Sequence, residues 1–187
     1  IEFIMIKKII FTGGGSGGHV IPALTLIKEL KKEDILLHYI GGKESVERKL
    51  VNSIEVNYSP IFTGKLRRYL SFQNLIDIFK VFLGVVQSFK ILLFFNKKES
   101  IIFSFGGFVS IPVVLAGRLL GIRIYIHEQT TRVGLANKIA GFVANKIFIS
   151  FESSRQYFDK SKTELSGYPV RKECYEETIG ELIFDSM

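Results

Sequence analysis

Five glycines and a histidine occur in one short segment, residues 12–19, which has the sequence TGGGSGGH. An apolar run at residues 9–11 precedes the segment, and helix-like spacing of apolar residues follows it, which predicts a strand, a loop and a helix. Because glycines lack Cβ atoms, a ligand can approach the backbone N–H groups of such a loop closely. Together with the positive end of the following helix, these groups favour an anion such as phosphate.

His19 ends this segment and places a titratable imidazole beside the predicted anion site. The segment lacks a Gly-Lys-Ser/Thr ending, so it is not a P-loop. A G-x-G-x-x-G register runs through Gly13, Gly15 and Gly18, but no clear acidic residue closes the next predicted strand, which argues against an ordinary dinucleotide site. The alternative is a tight turn that only packs a helix on a strand, and five glycines ending in histidine make it the weaker interpretation.

Two further segments of this kind follow predicted strands. Gly106 and Gly107 come directly after one apolar run, and residues 127–132, of sequence HEQTTR, come after the next. Loops that follow parallel strands meet at one edge of the sheet, so we expect all three segments to form a pocket for a phosphorylated ligand. The alternative for the glycine pair is helix packing alone. For His127 we favour structural support of its loop, whereas support and catalysis both stay open for Glu128.

Strand-like and helix-like runs alternate along the sequence. With continuous apolar strands, this alternation predicts an α/β fold in which a parallel sheet carries helices on both faces. The predicted strands are residues 7–11, 35–40, 54–61, 101–105, 122–126, 146–150 and 163–165. The predicted helices are residues 19–32, 43–51, 72–95, 111–120 and 133–144, with a helical turn at 153–158.

The composition narrows the function classes. A net charge of +7 favours acidic partners, but no nucleic-acid-binding module is present and the basic residues are spread out, so we predict no nucleic acid partner. The single cysteine, Cys174, excludes an intrachain disulfide framework and a cysteine zinc site. The three histidines are scattered, with His38 in a predicted strand, so we predict no metal site. Charged residues interrupt the longest apolar region, residues 75–95, so we predict no transmembrane span.

The predicted helix at residues 72–95 is apolar over an unusually wide arc. Its polar residues form one narrow stripe, made of Gln73, Asp77, Lys80, Gly84, Gln87 and Ser88. We favour a core helix that buries most of its apolar residues, with the basic residues at 65–69 as a solvated flank. The alternative is a peripheral contact with an anionic membrane surface, because basic residues here adjoin apolar surface.

Five sequence elements, in order over residues 6–171, resemble the motifs of the MurG family of glycosyltransferases. They are GGGSGGHVIPA at residues 13–23, Gly64-Lys65, FGGFVS at residues 105–110, HEQ at residues 127–129 with GLANK at residues 134–138, and GYPVR at residues 167–171. The family transfers N-acetylglucosamine from UDP-N-acetylglucosamine to undecaprenyl-diphospho-muramoyl-pentapeptide. This reaction converts lipid I to lipid II in peptidoglycan biosynthesis.

The resemblance implies the acceptor-binding, Rossmann-like N-terminal domain of an inverting GT-B enzyme, peripheral on the cytoplasmic face of the cell membrane and acting without a cofactor. It implies that His19 is the base for the acceptor hydroxyl. The residues implied to bind the diphosphate of the lipid-linked acceptor are Gly14, Gly15, Ser16, Gly17, Gly18, Gly106 and Gly107. Those implied to contact UDP-N-acetylglucosamine are Ser16, Gly17, Gly18, Thr130 and Arg171. Supporting roles are implied for Glu128, Gln129 and Asn137.

The sequence departs from the family pattern at four positions. Thr130 stands where the family often has Asn, Phe108 replaces a common Tyr, Tyr168 replaces Asn, and Ile111 fills a position that is often Gly. These differences could shift the acceptor specificity, so a related lipid-linked glycosyltransferase is an alternative.

The resemblance also predicts the domain organisation. We expect translation to start at Met5 and residues 1–5 to be leader residues. Residues 6–166 are expected to form the acceptor-binding domain, and residues 167–187 an interdomain linker and a truncated tail. In the family, a C-terminal domain that binds most of the donor follows the linker, so we expect this chain alone not to transfer sugar. The alternative is a non-catalytic, membrane-associated subunit that binds the acceptor and recruits a separate donor-domain chain.

Overall fold

The computed structural model of the protein describes residues 6–64, 72–171 and 174, with the backbone alone for residues 72–76. The predicted leader, the basic segment at 65–69 and most of the predicted tail lie outside the described residues. The strands are β1 (Lys8–Thr12), β2 (Leu36–Gly42), β3 (Asn57–Ile61), β4 (Ser100–Ser104), β5 (Arg123–Glu128), β6 (Lys146–Ile149) and β7 (Thr163–Leu165). The helices are α1 (Gly17–Leu30), α2 (Val46–Asn52), α3 (Phe72–Leu92), α4 (Ser110–Leu120) and α5 (Leu135–Val143), with 3₁₀ turns at Glu152–Tyr157 and Lys160–Lys162.

The predicted parallel α/β sheet is confirmed. Over the described residues, seven strands form one sheet in the order β3-β2-β1-β4-β5-β6-β7, and every neighbouring pair is parallel. The chain runs outward from β1 to β3, crosses back through α3 to β4 beside β1, and then runs outward in the other direction. This reversal opens a crevice at the carboxyl ends of β1 and β4, where open sheets of this kind bind their ligands.

Helices cover both faces of the sheet, as the alternating side chains of β1 require. Ile9 and Phe11 belong to one apolar cluster, together with Ala23 of α1. Ile10, between them in sequence, belongs to a second cluster with Leu92 of α3 and residues of α4 and α5. Because neighbouring residues of a strand point to opposite faces, α1 and α2 cover one face and α3 to α5 cover the other.

The interpretation of residues 72–95 as a core helix that buries most of its apolar residues is wrong, because five large apolar side chains of α3 are exposed. Asp77 and Ser88, from the predicted polar stripe, are only 5% and 0% exposed. Gly84 approaches Phe62 so closely that a Cβ atom would overlap the Phe62 carbonyl oxygen, and that Cβ would also lie 3.1 Å from Pro112 of α4. Gly84 therefore lies at the contact with α4, and part of the predicted polar stripe is buried. The apolar side chains left exposed are Ile78, Phe79, Phe82, Leu83 and Val86.

The physical reason is the width of the apolar arc of α3, which exceeds what the sheet and α4 can cover. Among the described side chains of α3, Leu92 belongs to the core, and Val85, Phe89 and Ile91 pack against it. Among the described helices, none combines the length and the apolar character that crossing a lipid bilayer would require.

Candidate functional site

The two glycine segments meet at the crevice between β1 and β4. The N–H group of Gly14 donates a hydrogen bond to the carbonyl oxygen of Gly106 at 3.2 Å, and Phe105 N–H donates to Thr12 O at 2.9 Å. Gly107 has a φ of +77°, and a Cβ atom there would overlap the carbonyl oxygen of Gly14. Glycine at this position is therefore required both by the backbone conformation and by the close approach of the other loop.

Backbone hydrogen bonds decide which part of the first glycine segment faces a ligand. The N–H of Gly14 is bonded to Gly106, and the N–H of Gly15 donates to the Glu47 carboxylate at 3.3 Å. Helix α1 begins directly after these glycines, and the N–H groups of a first helical turn have no partner within the helix. An anion at the positive end of α1 would therefore meet the N–H groups of Ser16, Gly17 and Gly18.

Glu47, on α2, is a site residue that the sequence analysis missed. Its side chain is fully buried, and its two carboxylate oxygens accept hydrogen bonds from Gly15 N–H and, at 3.1 Å, from Gly42 N–H. The carboxylate lies against Gly14, where any Cβ atom would overlap it. Glu47 thus ties the glycine segment to the end of β2. The available signal was its four-residue spacing from Val51, because both residues face the core on the short helix α2.

We predict that Glu47→Ala lowers the free energy of unfolding by about 2–4 kcal/mol, because it leaves the buried N–H group of Gly42 and the partly buried N–H group of Gly15 without an acceptor. Glu47→Gln, which keeps one acceptor oxygen, should lose less. Urea unfolding of the 187-residue chain measures the difference. Glu44→Ala is the matched control, because Glu44 is exposed in the loop that precedes α2. Equal stability of the Ala variants at positions 47 and 44 would contradict the role of Glu47.

His19 contacts the second glycine segment through one ring nitrogen. Its Nδ1 atom lies 2.9 Å from the carbonyl oxygen of Phe105 and 3.3 Å from Oε1 of Gln129. Both of these oxygens can only accept, so Nδ1 carries a proton, and in the neutral ring the lone pair lies on Nε2. The imidazole is half-buried and lines a cavity of about 390 Å³. A neutral imidazole held in this tautomer can accept a proton at Nε2.

The cavity beside His19 joins the three segments predicted to meet. Four further predicted site residues line it, namely Gly107, Glu128, Thr130 and Asn137. Its other walls are Phe108, Ile111, Arg132, Gly134, Leu135 and Ala136. Two of these, Phe108 and Ile111, are positions at which the sequence departs from the MurG pattern. Arg171 is exposed and is not among the lining residues.

Glu128 holds the third loop together. Its carboxylate accepts hydrogen bonds from the backbone N–H of Thr130 at 2.9 Å, from the Thr130 hydroxyl at 2.7 Å and from Nδ2 of Asn137 at 2.9 Å. Glu128 and Asn137 are each only 2% exposed. Because both carboxylate oxygens are engaged, the geometry favours the structural alternative for Glu128 over a catalytic one.

His127 also contacts backbone, which agrees with the interpretation favoured from the sequence. Its Nε2 atom lies 3.0 Å from the carbonyl oxygen of Gly167, and its ring packs on Phe105 with centroids 5.6 Å apart. Burial lowers the pKa of His127 below its ordinary value, and the hydrogen bond to Gly167 opposes this shift. Within the described residues, no group of three or more His, Cys, Asp or Glu side chains is arranged to hold a metal ion.

Comparison with known proteins places this geometry in a family. Residues 9–149 match the glycosyltransferase family 28 N-terminal domain. A relative from Clostridium botulinum (strain Langeland) is 44% identical over 170 residues, which cover 91% of this chain and 48% of the relative. One from Legionella pneumophila (strain Lens) is 41% identical over 170 residues, covering 90% and 46%. The chain thus spans about half the length of the curated relatives it matches. Both are named UDP-N-acetylglucosamine--N-acetylmuramyl-(pentapeptide) pyrophosphoryl-undecaprenol N-acetylglucosamine transferase.

Solved structures share the fold. Acinetobacter baumannii MurG superposes with a TM-score of 0.71 at 24% identity, over 89% of this chain and 46% of that protein. UDP-N-acetylglucosamine 2-epimerase from Rickettsia bellii superposes with a TM-score of 0.61 at 15% identity, over 96% and 49%. The predicted Rossmann-like fold of a GT-B N-terminal domain and the resemblance to MurG are confirmed. The chain belongs to glycosyltransferase family 28, whose N-terminal domain it contains.

Proposed function

We propose that this chain is the acceptor-binding half of a MurG-type enzyme, which transfers N-acetylglucosamine from UDP-N-acetylglucosamine to undecaprenyl-diphospho-muramoyl-pentapeptide. The names of the relatives at 41% to 44% identity support this substrate pair. The observation that carries the proposal is the geometry of His19. Its Nδ1–H group is held by the Phe105 carbonyl, while the ring lines a cavity next to the two glycine segments.

In the proposed mechanism, the acceptor diphosphate binds at the N-terminus of α1, against the N–H groups of Ser16, Gly17 and Gly18. Gly14, Gly15, Gly106 and Gly107 shape this cradle, because side chains at these positions would fill it or displace the loops. The helix end favours the negative charge of the diphosphate. Phe108, Ile111, Leu135 and Ala136 supply an apolar wall for the rest of the acceptor.

His19 then acts as general base. Its Nε2 atom takes the proton of the acceptor hydroxyl while the hydroxyl oxygen attacks the anomeric carbon of the donor sugar. The bond from that carbon to the UDP oxygen breaks, UDP leaves with the electron pair, and the configuration inverts. We propose donor contacts by Ser16, Gly17, Gly18, Thr130 and Arg171, and no cofactor beyond the donor itself.

A chimera tests the proposal, made by joining this chain to the C-terminal half of the Clostridium botulinum relative. We expect it to convert lipid I to lipid II with radiolabelled UDP-N-acetylglucosamine. The unfused chain provides a second assay, in which it should bind the diphosphate-linked muramoyl peptide more tightly than the same peptide without the diphosphate. Equal affinity for the two peptides would reject the acceptor site.

We further propose a peripheral position on an anionic membrane surface, namely the cytoplasmic face of the cell membrane. The exposed apolar face of α3, made of Ile78, Phe79, Phe82, Leu83 and Val86, supports this position. Exposed apolar side chains continue past the end of α3 at Leu93 and Phe94, and Lys90, Lys97 and Lys98 lie exposed beside them. Basic residues that flank exposed apolar surface suit anionic lipid headgroups.

We predict that the double variant Phe79→Ser and Phe82→Ser binds anionic vesicles at least about tenfold more weakly, because each phenylalanine inserted into lipid contributes about 1.5–3 kcal/mol. Co-sedimentation of the chain with vesicles of anionic and of neutral lipid measures the effect. Phe142→Ser on α5 is the matched control, because Phe142 is 85% exposed, more than the 64% and 62% of the two tested residues. An equal loss in the control variant would contradict a membrane face on α3.

A further inference from the structure

A continuous series of hydrogen bonds runs from His19 to the segment that follows β7. Nδ1 of His19 lies 3.3 Å from Oε1 of Gln129, and Nε2 of Gln129 lies 3.3 Å from Nδ1 of His127. Nε2 of His127 then lies 3.0 Å from the carbonyl oxygen of Gly167. We call these four residues the histidine network. It connects the proposed base to the first residue of the GYPVR motif, about 150 residues away in sequence.

The backbone carbonyl groups that contact the histidine network fix the direction of every hydrogen bond in it. The Gly167 carbonyl can only accept, so Nε2 of His127 carries the proton and Nδ1 of His127 accepts. The carbonyl oxygen of His127 lies 2.9 Å from Nε2 of Gln129, which fixes that atom as the amide nitrogen and places Oε1 toward His19. His19 therefore presents a protonated Nδ1 and leaves Nε2 basic.

We propose that Gln129 and His127 are positioning residues that act together with the Phe105 carbonyl, the nearer acceptor of His19 Nδ1–H at 2.9 Å, to hold His19 in the tautomer required of a base. Through them, this tautomer is coupled to the backbone at Gly167. The inference rests on the proposed function for its catalytic consequence. Gln129 and His127 are only 5% and 2% exposed, so no water competes freely for their hydrogen bonds. Through the histidine network, a change in the backbone conformation after β7 alters the hydrogen bonding of His19 in the proposed active site.

The carbonyl of Gly167 is the backbone end of the histidine network, and it also accepts hydrogen bonds from the hydroxyls of Ser150 at 3.4 Å and Ser166 at 3.3 Å. Gly167 has a φ of +78°, and a Cβ atom there would meet nothing within 4 Å, so its conformation is set by the backbone rather than by packing. The ring of His127 packs on Phe105 and cannot follow the carbonyl if that backbone rotates. His127 would then lose its acceptor, and its proton could move to Nδ1, where it would oppose the Gln129 amide. Because the His127 carbonyl holds the Gln129 amide nitrogen, the amide would be displaced, and its hydrogen bond from Oε1 to His19 Nδ1–H would weaken.

Nitrogen-15 NMR of the 187-residue chain tests the coupling without any substrate. The chain has three histidines, so His19, His127 and His38 can be followed separately. We expect His19 to be protonated at Nδ1 and His127 at Nε2. Gln129→Leu removes one of the two acceptors of His19 Nδ1–H and the donor to His127 Nδ1, so it should raise the fraction of the minor tautomer of both residues, although the Phe105 and Gly167 carbonyls still favour the original tautomers. The signals of His38, which bonds Ser59 elsewhere, should stay unchanged.

Substitutions at Gly167 test the backbone end. Gly167→Ala, strained at this φ, should change the tautomer of His127 and shift the signals of His19, whereas Gly167→Asn should restore both, because Asn tolerates the left-handed conformation. Gly134→Ala is the matched control, since Gly134 also has nothing within 4 Å of a Cβ but has an ordinary φ of −69°. If the tautomers of His127 and His19 are the same in Gly167→Ala as in the unsubstituted chain, the coupling is wrong. This test holds even if Gln129→Leu fails to fold.

Turnover by the chimera separates this inference from the proposed function. Gln129→Leu should lower kcat, leave KM for the donor unchanged and shift the acid limb of the pH profile of kcat. If the NMR tautomers respond as expected but kcat does not depend on His19, the proposed function fails and the coupling stands. If kcat depends on His19 but its tautomer does not depend on Gln129, the coupling fails and the proposed function stands.

Discussion

His19→Asn is expected to lower the kcat of the chimera by about 10²–10⁴-fold, the usual contribution of a general base. The amide nitrogen of Asn occupies the position of Nδ1, so the hydrogen bond to the Phe105 carbonyl, 2.9 Å long in this structure, can be kept. The Nε2 atom that would take the acceptor proton has no counterpart in Asn. The variant therefore removes the proposed base while it preserves the contact between α1 and the second glycine segment. Steady-state rates with lipid I and UDP-N-acetylglucosamine measure the effect.

His38→Gln is the matched control for this experiment. His38 bonds the Ser59 hydroxyl through Nε2 at 2.9 Å, and the amide nitrogen of Gln can take the place of that atom. We expect kcat and the urea midpoint to stay unchanged in the control, and the urea midpoint to stay unchanged in His19→Asn. A kcat that is unaffected by His19→Asn would remove His19 from the role of base and leave its hydrogen bond to Phe105 as a purely structural contact.

The sheet was predictable because its signals are local. One β-α unit is indicated by a continuous apolar run such as Ile9, Ile10 and Phe11 that is followed by a glycine-rich loop and an apolar helix. Strand-like and helix-like runs alternate in this way along the sequence. The predicted strand 122–126 differs from the observed Arg123–Glu128 only at its ends. Since loops after parallel strands share one edge of the sheet, the meeting of the two glycine segments near His19 followed from the same local signals.

The orientation of α3 was not predictable in the same way. Periodicity indicates that a helix has a polar and an apolar face, but not which face the rest of the chain covers. Here the contact with α4 depends on Gly84, whose missing side chain lets the helix approach Pro112, and Asp77 and Ser88 of the polar stripe are buried. Such a contact is decided by the fit of two surfaces distant in sequence, so the apolar face of α3 was wrongly assigned to the core.

Long-range hydrogen bonds account for the remaining gaps in the site. Glu47 is 32 residues from Gly15 and reaches it only because β2 lies beside β1 in the sheet. His127 is 40 residues from Gly167 and reaches it through the neighbouring strands β6 and β7. A single sequence carries no direct signal for either pair. What it can show is a charged or polar residue at a buried position, which requires a partner somewhere in the fold.

Gly107→Ala is expected to lower the free energy of unfolding by about 2–5 kcal/mol, the sum of left-handed backbone strain and steric displacement. Gly107 has a φ of +77°, and its new Cβ atom would overlap the carbonyl oxygen of Gly14 and lie 3.1 Å from Cδ2 of His19. Neither neighbour is the free end of a flexible side chain, so the two glycine segments would have to separate. Urea unfolding of the 187-residue chain measures the loss, and the affinity for the diphosphate-linked peptide should fall with it.

Gly134→Ala is the control for the removal of a glycine from the same cavity. Gly134 lines the cavity beside His19, but its φ of −69° is ordinary and a Cβ atom there would meet nothing within 4 Å. We expect its stability to differ from that of the unsubstituted chain by less than about 0.5 kcal/mol. If Gly107→Ala were equally harmless, the two glycine segments would not be in contact in solution. The carbonyl of Phe105 would then no longer be held beside α1, and His19 would lose the contact that fixes its tautomer.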